Sequence, residues 1–450
     1  MRGFTIGDAL QACGGRLTAG TDPNRELREI VIDSRKVVSG DLFVAFKGEH
    51  TDGHNYIAAA LERGAACCLA EYLPEKICGP VLLVPQVQSA LEAIAKAYRE
   101  RLQLPVIGIT GSVGKTTAKE MIAAVLESRY AVLKTEGNLN NQIGVPMTLS
   151  RITPEHQAAV VEMGISGFGE MRPLARMARP TIGVFTVIGH AHLEFLQDLD
   201  GVLRAKTEML EEMAPDAVIV VNGDDPHLRN LDCVQRKILV GTRGDCDLRA
   251  EDISQLPNGD TQCCLVSREH RIPIRIPAFG RHVVHAALLG AAVGLLMGLN
   301  EEEIARGILA FENVGHRAAR RDTVFLTVID DSYNANPDSV KCGIDSLLEL
   351  PGRHICILGD MLELGEHSEQ LHEEVGRYAA DKGVDALWTY GSLGVAYCAG
   401  AGEIGCCFES REALLSQLPK LLQQGDRVLV KASKGMRYWE LADAIRQLQP

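Results

Sequence analysis

The sequence predicts an α/β protein of three domains, with a parallel sheet and a phosphate loop in the middle one. Apolar runs of strand length alternate with helix-period stretches almost throughout. At 450 residues the chain is long enough for about three domains of roughly 150 residues each. Finally, "GITGSVGKTT" (108–117) stands between the apolar run "LPVIGIT" and a helix-period stretch. That is the strand–loop–helix order of a phosphate site.

Taken in order, "LREIVIDSRKVVSGDLFVAFKG" (27–48) holds two short β-rich runs split by the turn residues Ser39-Gly40-Asp41. "YIAAALERGAACCLA" reads as helix into strand, and "GPVLLVPQVQSALEAIAKAYRERL" as strand, turn and a helix that opens a new unit near residue 87. The middle unit carries "PVIGIT", "AAVVEMG", "IGVFTVIG" and "DAVIVVNGDD", four apolar strands that end in polar or glycine residues. Such strands suit a mostly parallel sheet with ligands at its carboxyl edge. "FENVGHRAARRD" (311–322) reads as a basic, polar join. Beyond it "TVFLTVIDDS", "RHICILGD", "VDALWTYG" and "DRVLVKAS" alternate with helical stretches, without any G-x-G-x-x-G to suggest a dinucleotide.

A formal net charge of −13 argues against a nucleic-acid partner, because phosphate backbones are bound through basic faces. The 13 cysteines are odd in number, scattered, and include no C-x-x-C pair, so they read as small buried apolar residues in a reducing compartment. "MRGFTIGDALQACGG" has no apolar signal region, and a cytoplasmic location is the expectation. "VVHAALLGAAVGLLMGL" (283–299) falls short of about 20 residues and carries His285. It reads as a buried helix, not a membrane span.

A phosphate needs backbone N–H groups at a helix start, a lysine charge and a hydroxyl for Mg²⁺. Gly111 and Gly114 allow the tight loop around Ser112 and Val113, Lys115 reaches the β/γ-phosphates, and Thr116 suits the metal, with Thr117 next in the helix. Glu162 ends a strand, which suits Mg²⁺ or equally a helix cap or surface acid. "GHAHLEFL" (189–196) places His190, His192 and Glu194 where two could reach a metal together or serve as ordinary loop residues. Lys206 in "RAKTEML" reads by itself as a solvated helix lysine. "IDDSYNANPDS" (329–339), with Asp331, Asn334 and Asn336, packs hydrogen-bonding groups at a strand end and suggests ligand contact.

Together these stretches resemble the Mur ligases, the ATP-dependent amide ligases of peptidoglycan precursor synthesis. "TGSVGKTT" is similar to that family's short loop, G-x-x-G-K-[ST], which explains why Ile109 stands where the common longer pattern has glycine. "DSRKVVSGDLFVAFKG", "DGHNYI", "GNLNNQIGVP", "VEMGISGFGEM", "AHLE", "GHR", "DDSYNANPDS" and "LGDMLELGEHS" follow in family order over 33–368. "DSYNANP" and "LGDMLELG" resemble the branch that joins D-alanyl-D-alanine to UDP-MurNAc-tripeptide. The resemblance implies a UDP-sugar domain at 1–86, an ATP-binding domain at 87–315 and a Rossmann-like domain at 316–450. ATP would phosphorylate the tripeptide carboxylate, and the dipeptide amine would attack the acyl phosphate. The resemblance also implies roles. Residues 111–117 and Asn140 and Asn141 would hold ATP phosphates, with Arg317 and Asp331 reaching the nucleotide across the domain gap. Glu162, His192 and a carbamylated Lys206 would serve the metal, and Ser34 and Arg35 the uridine diphosphate. Asn334 and Asn336 would meet substrate. The partners implied are these small molecules alone, with a monomeric enzyme expected.

Two stretches depart from the family pattern. "GRHVVHA" puts Val283 and Ala286 where asparagines are usual, and the second of these would meet adenine. "KASKGM" has Ala432 and Lys434 in place of Gly and Arg, which loses a bidentate fork. Competing readings are another amide ligase of this superfamily (the enzyme adding the third stem residue, or a folylpolyglutamate synthase), a nucleotide switch, and a non-catalytic relative. No N-K-x-D motif supports the switch. The intact set Lys115, Glu162, His192 and Lys206 argues against the non-catalytic relative.

Overall fold

A computed structural model describes residues 1–74 and 77–449. Three sheets follow one another along the chain. The first has β1 (Arg16–Leu17), β2 (Ile30–Val31), β3 (Leu42–Val44), β4 (Cys67–Ala70) and β5 (Val81–Leu83), in the order β1-β5-β4-β3-β2. Only β1 runs antiparallel to its neighbour. The helix Val87–Glu100 closes this core with Leu91, Ile94 and Tyr98, and also packs on the helices Gly144–Ser150 and Met171–Ala178 of the next unit.

The second sheet has β6 (Val106–Thr110), β7 (Val132–Lys134), β8 (Ala158–Glu162), β9 (Ile182–Phe185), β10 (Val218–Asn222), β11 (Arg236–Gly241), β12 (Leu248–Gln255), β13 (Thr261–Val266) and β14 (Arg271–Ile276). Its order is β14-β13-β12-β11-β10-β9-β6-β8-β7. The strands from β7 to β12 are parallel and the last two pairings antiparallel. Strand β6 pairs with β8 on one side and β9 on the other. The chain leaves β6 at the point where strand order reverses, which is where open α/β sheets bind ligands. The apolar run near residue 283 forms the helix His282–Leu296, buried against the phosphate-loop helix and β10 to β14. No helix among the described residues is long and apolar enough to cross a membrane.

The third sheet has β15 (Ala319–Asp322), β16 (Thr327–Asp330), β17 (His354–Leu358), β18 (Ala386–Thr389), β19 (Gly405–Cys407) and β20 (Arg427–Lys431), in the order β15-β16-β20-β17-β18-β19. The last third of the join read as a basic linker is thus a strand. β15 pairs antiparallel with β16, and three consecutive charged residues on a half-exposed edge hid it. Buried apolar side chains run without a break from Leu193 and Leu196 of the second unit to Leu364 and Leu371 of the third. Six cysteines are buried, whereas Cys78, Cys406 and Cys407 are exposed, so the reading as interior residues holds for only part of the set.

Candidate active site

The loop after β6 owes its shape to glycine. Gly111 sits at φ +147°, and a Cβ there would come within 1.9 Å of Thr186 Oγ1. Gly114, at φ +82°, opens the helix Lys115–Glu127 without any side-chain cap. The first N–H groups of that helix are left to a ligand, as an anion requires. Neighbouring strand ends brace the loop. Ser112 N–H donates to Val187 O at 2.8 Å, Ser112 Oγ to Gly189 O at 2.9 Å, and Thr186 Oγ1 to Val113 O at 2.6 Å. Lys115 folds back, its ammonium donating to Gly111 O at 2.7 Å. Thr117 is half-buried in the first turn.

Glu162, at the end of the adjacent strand β8, is 2% exposed and is neither a cap nor a surface acid. Thr116 Oγ1 donates to its Oε2 at 3.0 Å and Asn140 Nδ2 to its Oε1 at 2.8 Å. Lys206 is likewise buried, on the inner face of the helix Leu199–Glu212. Burial pushes its pKa well below the ordinary lysine value, and the charge of Lys115 pushes the same way. Burial also lowers the pKa of Lys115, with Glu162 opposing and Arg317 of the third unit adding to the fall. The two lysines, the carboxylate and the guanidinium therefore share one electrostatic neighbourhood.

The other candidate residues divide. Arg317 stacks on Tyr333, 3.6 Å from guanidinium carbon to ring centre. Asp331 accepts from Ala318 N–H at 3.0 Å and from Lys431 at 2.5 Å, and Asn334 O accepts from Lys431 at 3.0 Å. Asn336 caps the helix Pro337–Leu348 through a capping box with Ser339. Asn141 accepts from the N–H groups of Ile143 and Gly144, so the carbonyl of its side chain braces its own loop. Ser34 and Arg35 lie in a short turn of the first unit, where Arg35 forks onto Asp33 with both contacts at 2.9 Å.

His192, in a left-handed conformation at φ 57°, has Nδ1 2.5 Å from Glu363 Oε2 of the third unit. The contact is close but off the hydrogen-bond line, leaving Nδ1 buried without an aligned partner. Beside it, His190 N–H donates to Asp338 Oδ2 at 2.6 Å, and its ring nitrogen lies 3.0 Å from the same oxygen. The hydrogen bond to Asp338 raises the His190 pKa against the effect of burial. Asp338 and Glu363 were not singled out in the sequence, because nothing local marks an acid whose partner lies some 150 residues away. Lys119 and Thr135, which hold the backbone behind Glu162, also escape a reading of the sequence, because they meet through the packing of the phosphate-loop helix on the sheet.

Residues 109–294 match the family described as Mur ligase middle domain, residues 316–434 the Mur ligase glutamate ligase domain, and residues 26–107 the Mur ligase family catalytic domain. The chain is 36% identical over 442 residues to UDP-N-acetylmuramoyl-tripeptide–D-alanyl-D-alanine ligase of Bacillus subtilis (strain 168), covering 94% of this chain and 95% of that protein. The chain belongs to the Mur ligase family. Among solved structures, this Mur ligase superposes on MurF from Acinetobacter baumannii with a TM-score of 0.91 at 30% identity, covering 99% of each chain. It superposes on MurF ligase from Thermotoga maritima in complex with ADP with a TM-score of 0.85 at 27% identity, over 93% of this chain and 97% of that one.

The donor set of the Mur ligase site fits Mg²⁺. A buried carboxylate and a threonine hydroxyl are hard oxygen donors of the kind that ion prefers. Among the described residues no cluster of three or more His, Cys, Asp or Glu side chains could hold a metal unaided. Ligand phosphates would have to complete the shell, as is usual for Mg²⁺.

Proposed function

We propose that this Mur ligase joins D-alanyl-D-alanine to UDP-MurNAc-tripeptide at the cost of ATP, through an acyl phosphate. The observation that carries the reading is the buried Glu162 at the carboxyl edge of the second sheet, held by Thr116 of the phosphate-loop helix and by Asn140. Near-full-length relatives named for this reaction support it over the third-residue ligase and the folylpolyglutamate synthase. A carboxylate resists attack by an amine, and phosphorylation turns its oxygen into a leaving group. The site must therefore spread phosphoryl charge and hold three substrates in line.

In this reading the N–H groups after Gly114 cradle the phosphates and Lys115 leaves Gly111 O to meet the transferring group. Arg317 adds a positive charge from the third unit. Glu162 and Thr116 would hold Mg²⁺, with Asn140 fixing the carboxylate and His192 in support, and the bound ion would neutralise phosphate charge. Burial lowers the Lys206 pKa and so favours the neutral amine, whose lone pair adds to CO₂; loss of a proton then leaves a carbamate, an anion in place of the amine. Asp331 and Asn334 face nucleotide and substrate on the third unit, and Ser34 and Arg35 meet the uridine diphosphate. Asn336 and Asn141 act by shaping their loops. The division at 86/87 and 315/316, a monomeric state and a cytoplasmic location belong to the same reading.

The test is release of ADP and phosphate with each cosubstrate omitted in turn, and the pentapeptide product followed by mass spectrometry. Turnover that persists without D-alanyl-D-alanine would sink the proposal.

A further inference from the structure

The backbone behind Glu162 departs from a regular ladder. β7 and β8 are parallel, and Thr135, the residue after β7, donates its N–H to Val160 O at 3.0 Å. In an even parallel ladder Glu162 N–H would then donate to the Thr135 carbonyl. It donates instead to the Thr135 hydroxyl, at 3.0 Å. The displaced carbonyl accepts from Lys119 Nζ at 2.7 Å. Lys119 lies one turn beyond Lys115 and Thr116 on the phosphate-loop helix and is 1% exposed.

A fully buried ammonium carries a large desolvation cost, so its partners identify its role. Lys119 lies 2.8 Å from Glu120 Oε1, but Lys134 already pairs with the other oxygen of Glu120 at 2.7 Å. Charge balance for Glu120 therefore does not require Lys119. What Lys119 alone does is hold the turned carbonyl of Thr135. That turn sends the chain into the loop bearing Asn140, whose side chain holds Glu162 and whose carbonyl accepts from Gly164 N–H at 2.8 Å. The helix thus grips Glu162 twice, through Thr116 on the carboxylate and through Lys119 and Thr135 on the backbone.

We propose that Lys119 is a positioning residue for the metal-binding carboxylate, acting through Thr135 on the Glu162 backbone and on the base of the Asn140 loop. The inference rests on the proposed role of Glu162 toward Mg²⁺. Outer-shell partners of this kind typically change metal affinity or activity by about 10- to 100-fold.

The experiment measures Mn²⁺ binding to the full chain with ADP present, by the electron paramagnetic resonance signal of free Mn²⁺, alongside Mg²⁺ titration of ligation. Lys119→Met and Thr135→Val are expected to bind Mn²⁺ about tenfold more weakly. Both should raise the Mg²⁺ concentration for half-maximal rate while the KM for UDP-MurNAc-tripeptide stays within about twofold of the wild type. Thr135→Ser, which keeps the hydroxyl, should restore wild-type binding. Should Lys119→Met fail to fold, the contrast between Thr135→Val and Thr135→Ser decides. Variants that titrate like a metal-binding wild type would overturn the positioning role alone. A wild type that ligates yet binds no Mn²⁺ with ADP would overturn the metal reading of Glu162 and this inference with it.

Discussion

Gly111 and Gly114 lie three residues apart in one loop, both with positive φ, yet their surroundings assign them different sensitivities. An alanine Cβ at 114 would meet nothing within 4 Å. Gly114→Ala therefore costs only the left-handed backbone, about 1–2 kcal/mol, or roughly tenfold in rate at 1.36 kcal/mol per decade. At 111 the Cβ would lie 1.9 Å from Thr186 Oγ1 and 3.1 Å from Val187 N. Steric overpacking adds about 1–3 kcal/mol to a backbone strain of similar size. Gly111→Ala should then lower kcat/KM for ATP by roughly a hundredfold or more. The clash has one removable component, so Gly111→Ala/Thr186→Ala should recover about tenfold over Gly111→Ala. Recovery stays incomplete because the double variant also loses the Thr186 hydrogen bond to Val113 O. The assay is steady-state ligation at varied ATP, with ADP affinity by calorimetry on the same preparations. Equal losses for the two single variants, or no coupling between 111 and 186, would refute the steric account of the loop.

Lys206→Ala should abolish ligation, whereas Lys206→Glu should keep a measurable fraction, because only a carboxylate imitates a carbamate; full activity in the alanine variant would exclude the metal-bridging role. His372 tests the third unit. It is fully buried, its Nε2 accepts from Met361 N–H at 2.9 Å, and burial pushes its pKa below the ordinary value. The unfolded chain then binds the proton more readily, so this contribution to stability is complete above an unfolded pKa of about 6.5. It declines as the pH falls from there through the lowered folded value. Thermal unfolding between about pH 7.5 and 5.5 should show a smaller drop in Tm for His372→Gln than for the wild type, and parallel curves would remove His372 as the cause.

Much of the site is local in cause and could be read from order alone. The phosphate loop is legible because two glycines, a lysine and a threonine at fixed spacing between strand and helix solve one problem, the approach of backbone N–H groups to an anion. Glu162 was legible only as a strand end. Its burial, and the hydroxyl and amide that hold it, come from two other segments. Asn141 and Asn336 carry the right chemistry, but the structure uses their side chains to cap a loop and a helix, roles in which asparagine serves equally well.

By itself the sequence determined three α/β units in series, the phosphate loop, and the buried nature of the helix near residue 283. These follow from periodicity, glycine geometry and apolar length, all of which act between near neighbours in the chain. Only the tertiary structure decided that Lys206 is enclosed within the field of Lys115, that Arg317 of another unit acts on Lys115, and that His190 and His192 meet Asp338 and Glu363. A lysine on a helix is solvated or buried according to what packs over it, and a carboxylate finds its partner through space. Strand order and the closing of one unit on another set those distances, and neither is written in the spacing of residues along the chain.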